Sequence, residues 1–339
     1  MRRSWLLAGV LAGGLVLAAC GGGGSGSGGS GGGGEVRVAA VIKGLDNPFF
    51  AAMQKGITAS AKQHGVDATI QAANDITDTT GQADKLNALA QQDFDCYIVN
   101  PISGSNLVSP LARVAAKHKP IVNIDLPLDE KAAEAADVEP VTYVGTDNEH
   151  QAGIAGKQMV QLLKPHAKVA RIGGIAGDVT SQQRLEGFAH AVEGELDIVQ
   201  TTNADWVREN AYTAAKTILR AHPDLSGFFV ANDDMGLGVV RAVQQAGKAD
   251  QVRVISGDGI KPALRSVQKG ELTATVSQYP YVIGKMGLEA CLAANAGKTM
   301  PDDVDAPVAL VTKQNVAKAR ENFPKPFSEY DDPFVKLVK

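Results

Sequence analysis

The chain has 339 residues, of which 44% are hydrophobic and 21% are charged, so it has the composition of an ordinary globular protein and the length for two domains. Its net charge is −4, and no cluster of lysine and arginine is interleaved with aromatic residues, which argues against a nucleic-acid partner. The six histidines are scattered without ligand spacing and there is no Walker A motif, so we expect no metal, no cofactor and no enzymatic activity.

The N-terminal residues have the pattern of an export signal. Met1-Arg2-Arg3 is basic, residues 5–19 form an apolar run, and the run ends in Leu17-Ala18-Ala19-Cys20. The run is too short and too interrupted by glycine for a membrane span. A cysteine directly after it resembles a bacterial lipoprotein signal, in which the chain is cleaved before Cys20 and the thiol is acylated. The alternative is an ordinary secretory signal with an incidental cysteine, and Arg2-Arg3 alone is weak evidence for twin-arginine export.

Residues 21–34 contain only glycine and serine, so they cannot form a core and are expected to behave as a flexible tether. A tether of this length has a typical reach of about 20 Å. A lipid anchor at Cys20 followed by this tether predicts an exported protein that is held at a membrane and faces the periplasm or the cell exterior.

The folded part begins with an apolar run, residues 36–42, which is followed by the stretch Asp46-Asn47-Pro48-Phe49-Phe50. Asn47 is the natural N-cap of a helix that runs to about residue 64, because Pro48 fits its first turn. Phe49 lies to one side, near the mouth of a strand-to-helix turn. Phe50 belongs to the core stripe of the helix, with Met53, Ile57 and Ala61. The stretch predicts either a capped helix with one aromatic at its edge or one wall of a ligand site.

From residue 36 onward, apolar runs alternate with amphipathic runs of helical period, which predicts βαβ units and parallel sheets. Eleven strands are too many for one sheet, so we predict an α/β fold with two doubly wound parallel-sheet lobes. The break between the lobes is expected near residues 140–148. The predicted strands are residues 36–42, 68–72, 96–100, 121–124, 142–145, 169–173, 198–202, 227–230, 252–256, 273–277 and 308–311.

Polar and aromatic residues follow many of these predicted strands. In open α/β sheets, ligands bind outside the carboxyl ends of the strands. Asparagine, aspartate, glutamine and arginine side chains suit the hydroxyls of a small polyhydroxylated ligand, and aromatic rings suit its C–H faces. Asp233-Asp234 could instead indicate a metal site, although we favour N-capping of the next helix by Asn232 or Asp233.

Several of these segments recur in an order that characterises a known family. They are Asn47-Pro48-Phe49-Phe50, Asn123-Ile124-Asp125, residues 173–188, Ala231-Asn232-Asp233-Asp234-Met235, Ser256-Gly257-Asp258-Gly259 and Gln278. Together they resemble the periplasmic ribose-binding-protein family, the sugar-binding subunits of bacterial ABC importers. The resemblance covers nearly all of residues 36–311, and the ordered set carries it rather than any single motif.

The resemblance implies the fold of a type I periplasmic binding protein, in which a three-strand hinge joins two lobes and the sugar lies between them. The first lobe would comprise residues 35–146 and 279–307, and the second residues 147–278 and 308–312. The signal peptide (1–20), the tether (21–34) and a C-terminal tail (313–339) lie outside the lobes. The hinge crossings are expected near Thr146, Gln278 and Pro307.

The resemblance also implies roles for individual residues. Asn47 would hydrogen-bond to sugar hydroxyls, Phe49 and Phe50 would stack on one face of the sugar, and Trp206 would stack on the opposite face. The polar ring would come from Asp125, Arg184, Asn232, Asp258 and Gln278. Simpler structural roles stay open for these residues: a helix cap for Asn47, Asp125 or Asp258, a core position for Trp206, a hinge contact for Gln278, and a surface salt bridge from Arg184 to Glu186 or Asp178.

One position departs from the family pattern. Ribose binders carry an arginine directly after the aspartate that matches Asp125, and this chain has Leu126. The loss of a guanidinium removes bidentate hydrogen bonds, which argues against ribose. Leu126 predicts a pocket with one apolar wall, for a different pentose or hexose or for a sugar alcohol.

Two further features have no assigned role at this point. Residues 323–327 contain two prolines and cannot form regular helix, so we expect the tail to pack along the surface of a lobe. Cys96, in a predicted strand, and Cys291, in a predicted helix, are expected to be buried thiols, although a disulfide between them is possible.

The sequence thus predicts a monomeric, lipid-anchored receptor that delivers a small sugar or polyol to an ABC permease. Three alternatives compete with this function. A transcription regulator's effector domain would need an N-terminal helix-turn-helix, which the export signal replaces. An extracellular enzyme acting on sugars would need paired carboxylates, for which Asp125 and Asp258 are candidates. A ligand sensor for a chemoreceptor or a membrane kinase cannot be separated from a transport protein by sequence.

Overall fold

Twelve β-strands form two six-stranded sheets in the computed structural model, which describes residues 36–338. The predicted signal, Cys20 and the tether lie outside the described residues. The strands are β1 (Arg37–Ile42), β2 (Asp67–Ala72), β3 (Cys96–Val99), β4 (Ile121–Ile124), β5 (Thr142–Gly145), β6 (Lys168–Gly173), β7 (Asp197–Asn203), β8 (Gly227–Val230), β9 (Arg253–Asp258), β10 (Ala274–Gln278), β11 (Asp303–Asp305) and β12 (Val308–Thr312).

Eleven helices lie between and after the strands of the described chain. They are α1 (Pro48–His64), α2 (Thr79–Ala90), α3 (Val108–Ala115), α4 (Glu130–Ala135), α5 (Asn148–Leu162), α6 (Val179–Val192), α7 (Arg208–Ala221), α8 (Asp233–Gln245), α9 (Lys261–Lys269), α10 (Pro280–Asn295) and α11 (Val316–Asn322). Within residues 36–338, no helix combines the length and the apolar composition that crossing a membrane requires.

Each sheet is the centre of one lobe. The first has the order β11-β5-β4-β3-β1-β2, with every neighbouring pair parallel. The second has the order β12-β10-β9-β8-β6-β7 and is parallel except for the antiparallel pair of β10 and β12. The predicted α/β fold of two lobes is confirmed. The sequence reading missed β11, because this edge strand has three residues and two of them are aspartates.

The chain passes from one lobe to the other at three places between the sheets. They are residues 146–147 between β5 and α5, Tyr279 between β10 and α10, and residues 306–307 between β11 and β12. Met159 of α5 packs with Ile255 in the second lobe, whereas Met286 of α10 packs with Ile98 in the first. The lobes are therefore joined by three short connections at one edge.

Helix α1 is held in place by a close contact with α10. The predicted core stripe of α1 is buried, and Met53 and Ile57 are fully inaccessible to solvent. A Cβ atom at Gly56 would lie 2.0 Å from the carbonyl oxygen of Tyr281, and a Cβ at Gly284 would lie 2.3 Å from that of Met53. Since only glycine permits this approach, the pair fixes the N-terminus of α1 relative to the first sheet.

The expectation for the two core cysteines was wrong. Cys96 of β3 and Cys291 of α10 form a disulfide, with their Cα atoms 5.7 Å apart. Both residues are fully buried in the same hydrophobic core of the first lobe. The sequence left this pairing open, because the two cysteines are 195 residues apart and meet only where α10 returns to the first lobe, as the family resemblance implied.

The C-terminal tail also differs from its expected position on a single lobe surface. As predicted, residues 323–327 form no helix. The tail contacts both lobes: Val316 belongs to the core of the second, and Phe334 belongs to the core of the first.

Candidate functional site

A cavity of about 570 Å³, counted out to its open mouth, lies between the lobes at the carboxyl ends of their strands. Both lobes contribute side chains. The lining residues are Lys43, Asn47, Phe49, Phe50, Ile76, Ile102, Asp125, Ile175, Asp178, Thr180, Arg184, Trp206, Asn232 and Asp258.

The N-terminus of α1 contributes the aromatic part of the cavity lining in the first lobe. The Oδ1 atom of Asn47 accepts a hydrogen bond from the Phe49 N–H at 2.9 Å, so Asn47 caps the helix as predicted. This leaves its Nδ2 group available as a donor toward the cavity. The rings of Phe49 and Phe50 meet edge to face, with centroids 5.1 Å apart, and both are buried. Phe50, which was predicted both for the core stripe of α1 and for the sugar site, is buried and lines the cavity.

Asp125 also lines the cavity, and its backbone has a conformation that is rare for a residue with a side chain, with φ of 66°. The Leu126 N–H donates to the Ile124 carbonyl at 2.9 Å, which closes a γ-turn around Asp125. The Tyr143 hydroxyl donates to the Asp125 carbonyl at 2.7 Å and fixes the turn. Burial raises the pKa of the Asp125 carboxyl, and the ammonium of Lys43, 3.6 Å away, opposes the rise.

Leu126 does not form the apolar wall that the sequence suggested. The turn at Asp125 leaves Leu126 buried, with 2% of its surface exposed, and it is not among the lining residues. The Asn123 side chain holds the turn by donating to the Leu126 carbonyl at 2.9 Å and accepting from the Leu128 N–H at 2.9 Å. The apolar lining comes instead from Ile76, Ile102 and Ile175.

Arg184 is the central cation of the second-lobe wall, and only 5% of it is exposed. Its Nε atom donates to Asn148 Oδ1 at 2.9 Å, and its Nη1 atom donates to the Ala231 carbonyl at 2.8 Å and to Asp258 Oδ1 at 3.3 Å. The guanidinium also lies over the Trp206 ring, 5.6 Å from the centroid. The alternative of a surface salt bridge is therefore wrong, and the remaining N–H groups are available to a ligand.

Trp206 is half-buried at the edge of the cavity, on a turn in which Asp205 and Trp206 both have positive φ, 55° and 63°. The Asp205 N–H donates to the carbonyl of Gly174 at 3.2 Å. A Cβ at Gly174 would lie 2.0 Å from the indole, so glycine is needed there for the ring to pack as it does. The turn and this glycine together hold the indole at the site.

Asp258 pairs with Arg184 deep in the cavity and has φ of 124°. Burial is the main cause that raises the pKa of its carboxyl, and Arg184 opposes the rise. Gln278, the one candidate residue that does not line the cavity, donates from Nε2 to Asp258 Oδ1 at 2.8 Å. Gln278 therefore acts on the site through Asp258 rather than from the cavity surface.

Asp233 holds β9, β10 and the loop after β9 together through buried hydrogen bonds. Its carboxylate accepts hydrogen bonds from the Ser256 hydroxyl at 2.5 Å, the Thr275 hydroxyl at 2.7 Å and the Ile260 N–H at 2.9 Å. Burial raises its pKa to about 6. Asn232 Oδ1 accepts from the Met235 N–H at 2.9 Å, so Asn232 caps α8 as we favoured, and Asn232 also lines the cavity.

Eight of the nine candidate ligand residues therefore line one cavity, and whether they bind a ligand stays a prediction. Six lining residues are not among these nine, although three of them lie in residues 173–188, a segment that carries the family resemblance. Lys43 directly follows the last residue of β1, so its position at a strand end could have identified it. The other five are Ile76, Ile102, Ile175, Asp178 and Thr180.

The lining supplies hydrogen-bond donors and acceptors on both lobes, together with aromatic faces on both. Its charges are paired across short distances, Lys43 with Asp125 and Arg184 with Asp258. Within residues 36–338, no three histidine, cysteine, aspartate or glutamate side chains are grouped as ligands of a metal ion. This arrangement suits the recognition of a neutral molecule with many hydroxyl groups.

Comparison with known proteins places these features in context. A family model described as "Periplasmic binding protein domain" matches residues 38–299. The chain is 33% identical to the ribose import binding protein of Bacillus subtilis over 83% of its own length and 88% of the relative's. An ABC transporter periplasmic solute binding protein from Actinobacillus succinogenes, solved with bound D-allose, superimposes with a TM-score of 0.78 at 29% identity, covering 84% of this chain and 99% of that one.

A third relative aligns over almost the whole chain. The xylitol-binding protein of Mycolicibacterium smegmatis is 25% identical over 98% of this chain and 92% of its own. An alignment of this extent includes most of the tail that follows β12.

Proposed function

The chain belongs to the periplasmic binding protein domain family, and from that premise we propose that it is the solute-binding subunit of an ABC importer, which holds a small monosaccharide or sugar alcohol between its lobes. The observation that carries the proposal is the cavity with aromatic rings on both lobes and with buried polar side chains between them. Closure of two lobes around a ligand is a common switching motion in proteins of this architecture.

The chemistry of the lining favours a ligand with many hydroxyl groups. The side-chain oxygens of Asn47 and Asn232 accept the hydrogen bonds of the helix caps, which leaves their amide N–H groups as donors for a ligand. Asp125 and Asp258 add acceptor oxygens, each beside a cation. Hydroxyl groups are both donors and acceptors, so one sugar can satisfy both kinds of partner.

The aromatic residues suit the C–H faces of the same ligand. Phe49 and Phe50 belong to the first lobe and Trp206 to the second, so a ring or an extended polyol between them would be covered on two sides. The relatives named above bind ribose, D-allose or xylitol according to their descriptions. Leu126 does not line the cavity, so the guanidinium that ribose binders carry at this position has no counterpart there, and we favour a hexose, another pentose or an alditol over ribose.

We propose export and a lipid anchor on different grounds. The Cys20 motif lies outside the described residues, so its support is the sequence pattern alone. The disulfide between Cys96 and Cys291 supports export, because disulfides persist outside the reducing cytosol. A tethered protein at the membrane would stay close to a permease that receives the ligand.

Intrinsic fluorescence tests the proposal. Trp5 belongs to the predicted signal, so Trp206 is the sole tryptophan of the cleaved chain. We expect D-allose, D-xylose, D-arabinose, xylitol or D-arabinitol to change its emission in a saturable way, with a matching rise in the thermal unfolding temperature. D-Ribose is the comparison sugar, and we expect it to bind more weakly than the best of the panel.

Two results would count against the proposal in different ways. If no pentose, hexose or alditol raises the unfolding temperature or gives a calorimetric signal, the proposed ligand class is wrong. If a sugar binds tightly by calorimetry and the Trp206 emission is unchanged, the ligand class stands and the assignment of Trp206 to the site is wrong.

A further inference from the structure

The residues after β12 form a segment, residues 313–338, that we call the C-terminal strap. Its first part packs on the second lobe, where Val316 and Ala319 of α11 belong to the same core as Leu264 of α9. Phe323, just after α11, packs against this core as well. The strap is therefore anchored to the second lobe by apolar contacts.

The last part of the strap is anchored to the first lobe. Phe334 is fully buried in the core that contains α1 and α10, and Tyr330 packs against the same core. Lys285 of α10 makes salt bridges to Asp332 at 2.5 Å and to Glu289 at 2.7 Å. These groups are largely buried, so they form a polar anchor beside the apolar one.

Phe327 lies between the two anchors and packs against the cores of both lobes. It lines a small space with Phe323 of the strap and with Tyr279 of the second hinge crossing. Phe49 and Asp258, two residues that line the proposed ligand cavity, line this space too. The strap thus lies one layer of side chains behind the site, next to the hinge.

We propose that the C-terminal strap is a fourth connection between the lobes, which limits their opening and thereby slows the release of a bound ligand. The three hinge crossings are short and can change their dihedral angles when lobes separate. A strap with buried anchors on both lobes cannot follow this motion without losing contacts on one side. Opening therefore costs more free energy than in a chain joined by the hinge alone, and the closed arrangement is favoured.

The effect on release rests on the proposed function, whereas the limit on opening is a property of the ligand-free chain. The opening can be measured as a distance between two spin labels, one on each lobe, by pulsed electron resonance. Ser105, in the loop between β3 and α3, and Val179, at the start of α6, are exposed and suit Ser105→Cys and Val179→Cys. Cys20→Ser leaves only the introduced thiols free, since Cys96 and Cys291 are bonded to each other.

Two variants weaken the strap at different points. Phe327→Ala removes the ring that contacts both cores, and Asp332→Asn removes the charge that pairs with Lys285. We expect longer and more broadly distributed distances in both, with the larger change in Phe327→Ala. Phe94→Leu is the control, because Phe94 is a fully buried ring in the first lobe that belongs to a core without strap residues. Its distances should match those of the parent.

Release of ligand gives the second measurement. With xylitol or D-allose as the probe, we expect Phe327→Ala to raise the dissociation rate about fivefold in stopped-flow fluorescence. Identical distance distributions in the parent, Phe327→Ala and Asp332→Asn would overturn the proposal. Failure of both probes to bind would exclude xylitol and D-allose as ligands and leave the distance measurement as the test of the strap.

Discussion

The two walls of the cavity are built in different ways. In the first lobe, Asn47, Phe49 and Phe50 are neighbours in sequence, and one helix cap orients all three. In the second lobe, Arg184 is held by Asn148, 36 residues away, and by Asp258, 74 residues away. The first wall is fixed largely by local geometry, whereas the second is a buried charged network that exists only when the whole lobe is folded.

This difference has an energetic consequence. A helix cap contributes about 1 kcal/mol, and its loss leaves the rest of the site in place. A buried charge that loses its partner costs several kcal/mol, because the remaining charge is uncompensated in a medium of low dielectric. We therefore expect substitutions in the second wall to change folding and binding together, and substitutions in the first wall to change them separately.

The largest effect is expected for Arg184→Ala. Both Arg184 and Asp258 have side chains that are only 6% exposed, so the change leaves Asp258 buried without its cation. We expect the free energy of unfolding to fall by about 3–5 kcal/mol, measured by urea denaturation at pH 7 without ligand. Adding Asp258→Asn to the variant replaces the buried carboxyl that has lost its partner by an amide and should restore part of the loss. A loss below about 1 kcal/mol for Arg184→Ala would contradict the central role of this pair.

The pH dependence of stability is the next effect in size and also belongs to the second lobe. Burial raises the pKa of Asp233 to about 6 from an ordinary value of 3.8. Between about pH 4 and pH 6, the folded chain holds a proton on Asp233 that the unfolded chain has released, so the free energy of unfolding falls as pH rises through this window. The expected contribution is about 2 kcal/mol.

Asp233→Asn isolates this contribution from the other buried carboxyls. The amide cannot titrate, so the variant should lose less stability than the parent between about pH 4 and pH 6. Denaturant unfolding at several pH values measures both curves. Parallel curves would mean that Asp233 does not titrate in this window.

Substitutions at the cavity surface should weaken ligand binding by less than Arg184→Ala lowers the free energy of unfolding. Trp206→Ala removes the stacking face of the second lobe, and Asn232→Ala removes an amide donor. Each should weaken the best sugar or alditol of the panel by more than about 1 kcal/mol in calorimetry. Tyr212→Ala is the control, since this half-buried aromatic of the same lobe does not line the cavity. Near-parent affinity in both test variants would contradict the assignment of these residues to the site.

The same contrast explains how much of the molecule could be predicted. Strand and helix periods identified eleven of the twelve strands, and strand ends identified most of the polar lining. Local motifs such as the Asn47 cap needed no tertiary information. The γ-turn at Asp125 could not be predicted, because Asn123 and the Tyr143 hydroxyl, from two different strands, hold it.

Long-range contacts were predicted less well, since the disulfide was considered possible but not favoured and the contact of the tail with both lobes was not expected. The disulfide and the strap both depend on the chain returning to the first lobe after it has built the second. Gln278 was assigned to the cavity because it ends a strand, yet the side chain of Asp258 lies between it and the cavity. A strand end predicts proximity to a site, whereas the direction of a side chain depends on its neighbours in space.

The smallest expected change in stability is at Asn47, where two variants separate its role as a helix cap from its proposed role as a hydrogen-bond donor to the ligand. Asn47→Asp keeps an oxygen that can accept from the Phe49 N–H, so the cap and the free energy of unfolding should change by less than about 0.5 kcal/mol. It removes the Nδ2 donor and places an acceptor there, which should weaken sugar binding. Asn47→Ala removes both and should also lose about 1 kcal/mol of stability. If Asn47→Asp binds the ligand as well as the parent does, Asn47 is only a helix cap, and the first wall contributes rings without a hydrogen bond.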